Sequence, residues 1–192
     1  MKYVSIDIET LGIEAESCSL IEVGAVIDDM QSPLSELPVF HRYITYPNNH
    51  YQGDVWAMFM HAKSGIFERI ANRDPDYSYC NYLNLDIQFF GWLRKHLGLK
   101  NKDKVLFVGK NAAWFDLPFL QKSAKFGMNF SIHHRVLDVG SMFVDMVNDQ
   151  EPPNLEECLR RAGIQKNISH TAVEDAIDVI RCIRFKHGVS DV

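Results

Sequence analysis

The sequence predicts one α/β domain in which helices cover a mixed β-sheet. Three apolar segments with strand character lie early in the chain, and helical periodicity then alternates with short apolar strands. The 192 residues, 46% of them hydrophobic, suffice for one sizeable core. Strands followed by alternating helices and strands are typical of a layered α/β fold.

The first half of the chain supplies three strands and two helices. Strands are predicted at residues 3–10, 20–28 and 39–46, with connections short enough for a meander or hairpins. A helix is predicted at residues 55–70, followed by a turn-rich irregular loop at 73–81. Residues 86–97 form the next predicted helix, because their apolar residues recur along one stripe and Gly98 suits its end.

The second half alternates short strands with helices. The predicted strands are residues 104–108 and 135–139, and the predicted helices are 116–126, 141–147, 154–163 and 171–187. Pro118 fits only the first turn of its helix. Asn154 and Thr171 are the predicted caps of the last two helices, and Gly163 and Gly188 stand at their ends.

Composition limits which substrates, metal sites and locations fit this chain. The formal charge of −5 gives no global basic surface for long duplex nucleic acid, which favours a short or locally bound substrate. The four cysteines are scattered and suggest neither a disulfide framework nor a zinc site. Acids at residues 7 and 9 argue against a signal peptide, and no apolar run is long enough for a membrane span. We therefore expect a cytoplasmic, reducing location and no membrane partner.

Two carboxylates interrupt the first predicted strand. Asp7 and Glu9 lie in the stretch YVSIDIETLG and point to one face, opposite Ile6 and Ile8. The chain has 25 acidic residues, and three other pairs at this spacing lie in polar or proline-containing surroundings. A solvated strand end explains the pair on its own. Facing carboxylates repel and raise each other's pKa unless a cation separates them, so the alternative is a metal site.

A second acid stands in an apolar setting. The stretch GKNAAWFDLPFLQ places Asp116 between Phe115 and Leu117 at the start of a predicted helix. The helix dipole favours a carboxylate in the first turn, which is a sufficient explanation for this residue taken alone.

The third feature is a histidine close to an acid. In SHTAVEDAIDVI, Thr171 begins a capping box that puts His170 just before the helix and Asp175 near its first turn. Residues five apart on one helix point about 140° apart, so the two converge only if His170 bends back from the preceding loop. An exposed histidine before a helix is the alternative. His133 and Asp138 have the same spacing without this context.

Together these residues indicate a metal-dependent phosphate chemistry. Carboxylates without cysteine or clustered histidine favour Mg²⁺ or Mn²⁺ over zinc. Pairs of such ions roughly 3.5–4 Å apart promote in-line displacement at phosphate, and a nearby histidine can take the proton of the attacking water. The candidate residues are Asp7, Glu9, Asp116, Asp175 and His170.

The motifs DIET, NAAWFDLPFL and HTAVEDA resemble, in this order, those of the DEDD 3′–5′ exonucleases of the ribonuclease H-like fold. They span residues 7–175. The tyrosine-containing branch has tyrosine four before the last acid, where this chain has Thr171, so the histidine-containing branch is the better match. The resemblance implies a sheet whose first three strands are antiparallel and whose later strands are parallel.

A looser resemblance links two further segments to oligoribonuclease. They are VWAMFMHAKSGIFERI, through its tryptophan, histidine and Ser-Gly pair, and HRVLDVGSM, which contains Asp138. Residues 73–85 have no counterpart that we can place. Proofreading exonucleases and ribonuclease T share the three main motifs, so the resemblance leaves the substrate open. A homodimer is an expectation from oligoribonuclease.

The resemblance implies hydrolysis from a 3′ end to nucleoside 5′-monophosphates. Asp7 would bridge two divalent ions, and Glu9 and Asp175 would complete the site for the nucleophilic water. Asp116 would serve the second ion, and His170 would be the general base.

Substrate contacts follow from the same resemblance. Thr10 and Leu11 would contact the terminal nucleotide, with Leu11 as an apolar wedge. Phe115 is expected to stack on a base, since every base has a π-face. His61 and Ser64 would hold the terminal sugar or phosphate. The alternative for Leu11 and Phe115 is packing in the core. The alternative for His61 and Ser64 is a surface helix without a role in binding. All three tryptophans are expected in the core: Trp56, Trp92 and Trp114.

The expected partners are 3′ ends of single-stranded DNA or RNA, or short oligonucleotides. Two other functions stay open. One is a non-catalytic nucleic-acid-binding module on the same fold, which would bind metal without turnover. The other is a carboxylate–metal phosphohydrolase, which would act on free nucleotides but not on dinucleotides or longer strands.

Overall fold

The computed structural model describes residues 1–166 and 171–189. Eight strands are present in this part of the chain: β1 Tyr3–Thr10, β2 Leu20–Asp28, β3 Val39–Thr45, β4 Tyr79–Asn81, β5 Lys104–Val105, β6 Phe107–Gly109, β7 Ser131–Ile132 and β8 Leu137–Asp138. The helices are α1 Val55–Lys63, α2 Ile66–Asn72, α3 Leu85–Leu97, α4 Asp116–Ala124, α5 Val139–Phe143, α6 Leu155–Arg161 and α7 Ala172–Lys186. Short 3₁₀ helices lie at Leu34–Glu36, Pro47–Asn49 and Tyr82–Asn84.

Six strands form one mixed sheet with the order β4-β3-β2-β1-β6-β8. The first three strands pair antiparallel, and β6 and β8 continue the sheet in parallel on the other side of β1. β5 and β7 form a separate parallel pair. This topology confirms the predicted mixed sheet of the ribonuclease H-like fold, with β1 near its middle.

The two faces of β1 have different surroundings. Val4, Ile6 and Ile8 are buried in the larger core cluster, together with apolar residues of α3 and α4. The opposite face carries Ser5, whose hydroxyl donates to the Ala176 carbonyl of α7 at 2.8 Å. Because α7 packs across β1 and β2, the acids that alternate with the isoleucines lie on the α7 side of the sheet.

Several predicted boundaries were wrong, for identifiable reasons. The helix expected at 55–70 is two helices, since Gly65 takes a left-handed conformation (φ 77°) between α1 and α2. The loop expected at 73–81 contains β4, which its parallel pairing with β3 creates. The strand expected at 104–108 divides into β5 and β6, which belong to different sheets. The helix expected at 141–147 is α5, which begins at Val139 because Asp138 caps it.

No helix in the described residues has both the length and the apolar character needed to cross a membrane. The expectation that one domain spans residues 1–192 stays a prediction, as do the homodimer and the cytoplasmic location.

Candidate active site

The end of β1 places two carboxylates against α7. Asp7 lies opposite Gly24 of β2, and Glu9 lies opposite Glu22. A bulge between Glu9 and Thr10 ends the regular pairing. Both acids are half-buried. A strand held by apolar neighbours on its other face fixes where these carboxylates point.

Gly24 allows the third carboxylate to approach. A Cβ atom at this position would lie 2.3 Å from the backbone of both Ala172 and Val173, so only glycine lets the first turn of α7 lie directly on β2. Asp175 is in that first turn, and its N–H donates to the Thr171 carbonyl at 3.0 Å. The close contact between α7 and β2 therefore determines how close Asp175 lies to the sheet.

Three of the predicted acids converge in the structure. One carboxylate oxygen from each of Asp7, Glu9 and Asp175 lies within 4.8 Å of the others. These residues come from β1 and from α7, which are far apart in the sequence. Folding thus creates a cluster of three acids at the carboxyl end of β1.

Asp116 approaches from the other side of β1. Strand β6 pairs in parallel with β1, and the turn that follows it carries Asp116 to the first position of α4. Asn111 opens this turn in a left-handed conformation (φ 62°), and its N–H donates to Asp138 Oδ2 at 2.7 Å. Asp116 is buried, and its carboxylate is the strongest charged influence on Asp7. The four predicted acids therefore belong to one electrostatic unit.

Burial and mutual repulsion keep protons on the acids of β1. Burial raises the pKa of Asp7 well above its ordinary value, and the carboxylates of Asp116, Glu9 and Asp175 add to the rise. The pKa of Glu9 is raised to about 8 by burial first, then by Glu22 and the two aspartates. Without a cation, these groups cannot all be ionised at neutral pH.

Two opposing effects act on the pKa of the Asp116 carboxyl. Burial raises the pKa of its carboxyl to about 7, while the backbone amides of Asp116 and Ile8 oppose the rise. A carboxyl with this pKa gives up its proton readily when a cation arrives.

The donor set fits a hard divalent cation. The converging ligand atoms are carboxylate oxygens, which Mg²⁺ and Mn²⁺ prefer. A 2+ charge among them would replace the protons and remove the repulsion that raises their pKa values.

His61 lies at the edge of this cluster. Its Nε2 is 3.1 Å from the Thr10 carbonyl and 3.7 Å from Glu9 Oε2. Thr10 is half-buried, and its hydroxyl donates to the Gly12 carbonyl at 2.7 Å. Ser64 is exposed, and its hydroxyl donates to the His61 carbonyl at 2.9 Å. The structure thus brings His61 and Thr10 to the acids, whereas Ser64 bonds to the backbone of α1.

The two apolar substrate residues are placed mainly in cores. Leu11 has no exposed surface and packs with Ile21, Ile66 and Ile70. Its side chain as placed cannot wedge against a base, so the expected wedge role is corrected to core packing. Phe115 is half-buried and packs against the larger core, with its ring centroid 5.7 Å from that of Phe119.

Two of the three tryptophans are not in the core, contrary to the prediction. Trp114 is 89% exposed and Trp56 is 69% exposed, whereas Trp92 packs partly buried against the core. Trp114 stands two residues before Asp116, on the outside of the turn that delivers this acid. An exposed indole two residues before Asp116 is available for contact with a base.

The predicted general base, His170, lies outside the described residues. Lys166 is the last described residue before it. Its Nζ binds two acids of α7, Glu174 at 2.7 Å and Asp178 at 3.1 Å. Glu174 thus bonds to Lys166, a partner that the predicted capping box did not include.

Glu22 and Gly24 lie next to the site and were not predicted from the sequence. Both lie in the segment LIEVGAVID, in which all nine residues are buried. An acid and a glycine in the interior of a fully buried strand were the available signal, since each is unfavourable there without a specific neighbour.

The mixed sheet, with three acids converging at the carboxyl end of β1 and Asp116 acting on Asp7, agrees with the predicted ribonuclease H-like fold. The model of the exonuclease family RNase_T matches residues 4–182, and the chain belongs to this family. The match confirms the predicted resemblance to DEDD-type exonucleases.

The relatives agree with the looser likeness to oligoribonuclease. The chain is 25% identical to the oligoribonuclease of Xylella fastidiosa over 185 residues, which cover 95% of this chain and 86% of the relative. It is 24% identical to a probable oligoribonuclease of Drosophila melanogaster, with 95% and 79% covered.

Solved structures share the fold. Pop2p of S. pombe, in a form with Mg²⁺ and Mn²⁺ bound, has a TM-score of 0.65 at 14% identity, covering 95% of this chain and 81% of that one. E. coli Exonuclease I in complex with a 5cy-dA13 oligonucleotide has a TM-score of 0.62 at 14% identity. The comparison covers 98% of this chain and 41% of Exonuclease I.

Proposed function

We propose that this protein is a metal-dependent 3′–5′ exonuclease that releases nucleoside 5′-monophosphates from single-stranded nucleic acid or short oligonucleotides. The observation that carries the proposal is the convergence of Asp7, Glu9 and Asp175 within 4.8 Å, with Asp116 beside them. Membership of the exonuclease family supports hydrolysis, and the order of the three motifs supports the 3′–5′ direction.

The acids would hold two divalent cations, Mg²⁺ or Mn²⁺. Asp7 would be shared, Glu9 and Asp175 would complete one site, and Asp116 would serve the other. When bound, the ions would stabilise charge on the phosphate and provide a nucleophile at neutral pH. The Mg²⁺ and Mn²⁺ in the Pop2p structure support this choice of ions.

The remaining residues would orient the substrate and move one proton. His170 would accept the proton of the attacking water. His61, whose Nε2 lies near the Thr10 carbonyl and Glu9, would help to hold the terminal sugar or phosphate. Ser64 would act by fixing the His61 backbone, and Phe115 and Trp114 would offer ring surface to bases.

Short single strands are the favoured substrate class. The relatives named oligoribonuclease support RNA oligonucleotides, and the Exonuclease I complex supports a single-stranded DNA end. Matched DNA and RNA strands of two to about twenty nucleotides would decide between them. A dinucleotide tests the shortest substrate.

A 5′-labelled strand incubated with Mg²⁺ or Mn²⁺ tests the assignment. We expect wild type to give a ladder shortened from the 3′ end, and chelation to stop it. Asp7→Ala and His170→Ala should each reduce the rate by at least about a hundredfold, because each removes a group that acts in the reaction.

Matched controls are Glu14→Ala and His187→Ala. Glu14 is an exposed acid from another acidic pair, and His187 is an exposed histidine at the end of α7. Both variants should keep the wild-type ladder. If wild type gives no ladder, or if the first two variants match the controls, the assignment fails. Metal binding without turnover would favour the binding module, and hydrolysis of free nucleotides alone would favour the phosphohydrolase.

A further inference from the structure

Glu22 is a buried acid in the strand next to the site. It is 1% exposed, and its Oε1 lies 2.9 Å from Nε2 of His41 on β3. Its other oxygen, Oε2, is buried and has no hydrogen-bond partner among the residues that the structure describes. A buried carboxylate oxygen without a hydrogen-bond partner costs stability, so its presence here needs a physical reason.

The reason lies in the cross-strand neighbour. Glu22 is paired directly with Glu9, and side chains paired in this way lie on one face of the sheet, with Cβ atoms about 4.5–5.5 Å apart. Glu22 is also the strongest charged influence on Glu9. The half-satisfied carboxylate therefore lies across from Glu9, which is one of the three converging acids.

His41 holds this acid in place. His41 is opposite Gly24 in the register of β2 and β3, so it reaches diagonally to Glu22. Its ring packs edge-on against Tyr43 at 4.8 Å and against Tyr77 at 6.0 Å. Arg69 donates to the Tyr43 hydroxyl at 3.2 Å, so the histidine is set within an ordered polar and aromatic layer.

We propose that Glu22, fixed by His41, is a positioning residue of the metal site that raises the affinity of the acid cluster for divalent cations. Its carboxylate is not one of the three converging groups, so it acts through Glu9 and through the local field. The inference rests on the proposed metal-dependent function. It gives a reason for a buried carboxylate oxygen of β2 that has no hydrogen-bond partner among the described residues.

This role requires the Glu22 charge to destabilise the metal-free protein and to stabilise the metal-bound protein. In the metal-free protein, Glu22 repels Glu9 and costs stability. With a cation present, the same charge attracts a 2+ ion over a short, poorly screened distance. A residue that only supports the fold would stabilise both states alike.

Glu22→Gln tests this, because it removes the charge and keeps the shape. We expect its metal-free melting temperature to equal or exceed that of wild type, since a glutamine N–H can also donate to Glu9. Isothermal titration with Mn²⁺ alone should show an affinity about tenfold weaker or more. Glu22→Asp, which keeps the charge, should bind Mn²⁺ more tightly than Glu22→Gln.

Asp86→Asn is the matched control. Asp86 is a buried acid that accepts from the backbone of Gly127 and from the Asn129 side chain, each at 2.6 Å. The Asp86→Asn substitution should lower the melting temperature and leave the affinity for Mn²⁺ unchanged. A Glu22→Gln protein that is less stable than wild type without metal, or that binds Mn²⁺ equally well, overturns the inference. If wild type itself does not bind Mn²⁺, the proposed function fails first.

Discussion

At the scale of single residues, the site holds carboxylates whose protonation depends on one another. Partial burial and neighbouring carboxylates raise the pKa values of Asp7 and Glu9, and burial raises the pKa of Asp116. Such perturbed groups gather where chemistry is done. The repulsion that destabilises the metal-free protein is what a bound cation would relieve.

The stability of the metal-free protein should fall as pH rises through neutrality. Glu9 ionises near its ordinary value of 4.5 when unfolded and at about 8 when folded, so the folded state binds more protons between these values. Its contribution to the free energy of unfolding is therefore present at low pH and lost as pH rises toward 8. Asp116, with a folded pKa of about 7, acts in the same direction.

Thermal melts in chelator and in Mn²⁺ would check this. We expect the stabilisation by Mn²⁺ to grow from about pH 5.5 to about pH 8, because ligands must lose their protons. Glu9→Gln should flatten the pH dependence in chelator, while the exposed-site variant Glu14→Gln should leave it unchanged. A Mn²⁺ effect that shrinks as pH rises would contradict the prediction.

Trp114 should contribute to substrate binding and not to stability. Its ring is 89% exposed, two residues before Asp116, and stacking of a base on an aromatic ring is worth about 1–3 kcal/mol. Trp114→Ala should therefore raise KM for oligonucleotides by about fivefold to a hundredfold with little change in kcat or melting temperature. Met146→Ala, at a position that is 87% exposed, is the control. An unchanged KM would exclude a stacking role.

At the scale of elements, the contact between β2 and α7 decides whether the acids meet. The first turn of α7 lies on Gly24, so the helix carries Asp175 to the end of β1. On the other side, the parallel pairing of β6 with β1 carries Asp116. Each acid therefore depends on one specific packing contact.

Gly24→Ala should separate α7 from the sheet. The added methyl would overlap the backbone of Ala172, and such overpacking costs about 1–3 kcal/mol. We expect a lower melting temperature together with weaker Mn²⁺ binding, since Asp175 would withdraw.

Gly91→Ala is the control for this change. Gly91 lies in α3 with nothing within 4 Å of the added atom, so alanine there should stabilise the helix by about 0.5–1 kcal/mol. Equal metal affinity in wild type and Gly24→Ala would show that the contact does not set the position of Asp175.

At the scale of the whole molecule, charge limits how substrate is bound. The formal charge of −5 favours a substrate that is bound through few phosphates at once. Affinity for single strands should then depend only weakly on salt. We also expect kcat/KM for strands of two to five nucleotides to be at least equal to that for strands of about twenty.

Activity assays across length, each between about 50 and 200 mM salt, would measure both effects. A loss of affinity of about a thousandfold over this range would indicate six or more phosphate contacts and contradict the prediction. A kcat/KM that is much higher for the longest strand than for the shortest would contradict the predicted dependence on length.

Local patterns were sufficient for much of the fold. Strands 3–10 and 20–28 were predicted to the residue, because alternation and buried apolar runs depend on neighbours in sequence. The β4 strand, the break between α1 and α2 and the division at residue 106 were not predicted, since pairing partners and a glycine conformation create them.

Residue identity and spacing were enough to predict the set of acids, their order and their resemblance to exonuclease motifs. Tertiary packing brings carboxylate oxygens of Asp7, Glu9 and Asp175 within 4.8 Å of one another, buries Leu11 and leaves Trp114 exposed. It also brought Glu22 to Glu9. Distances between residues far apart in the chain depend on how β2 and α7 pack, and a one-dimensional pattern does not contain that contact.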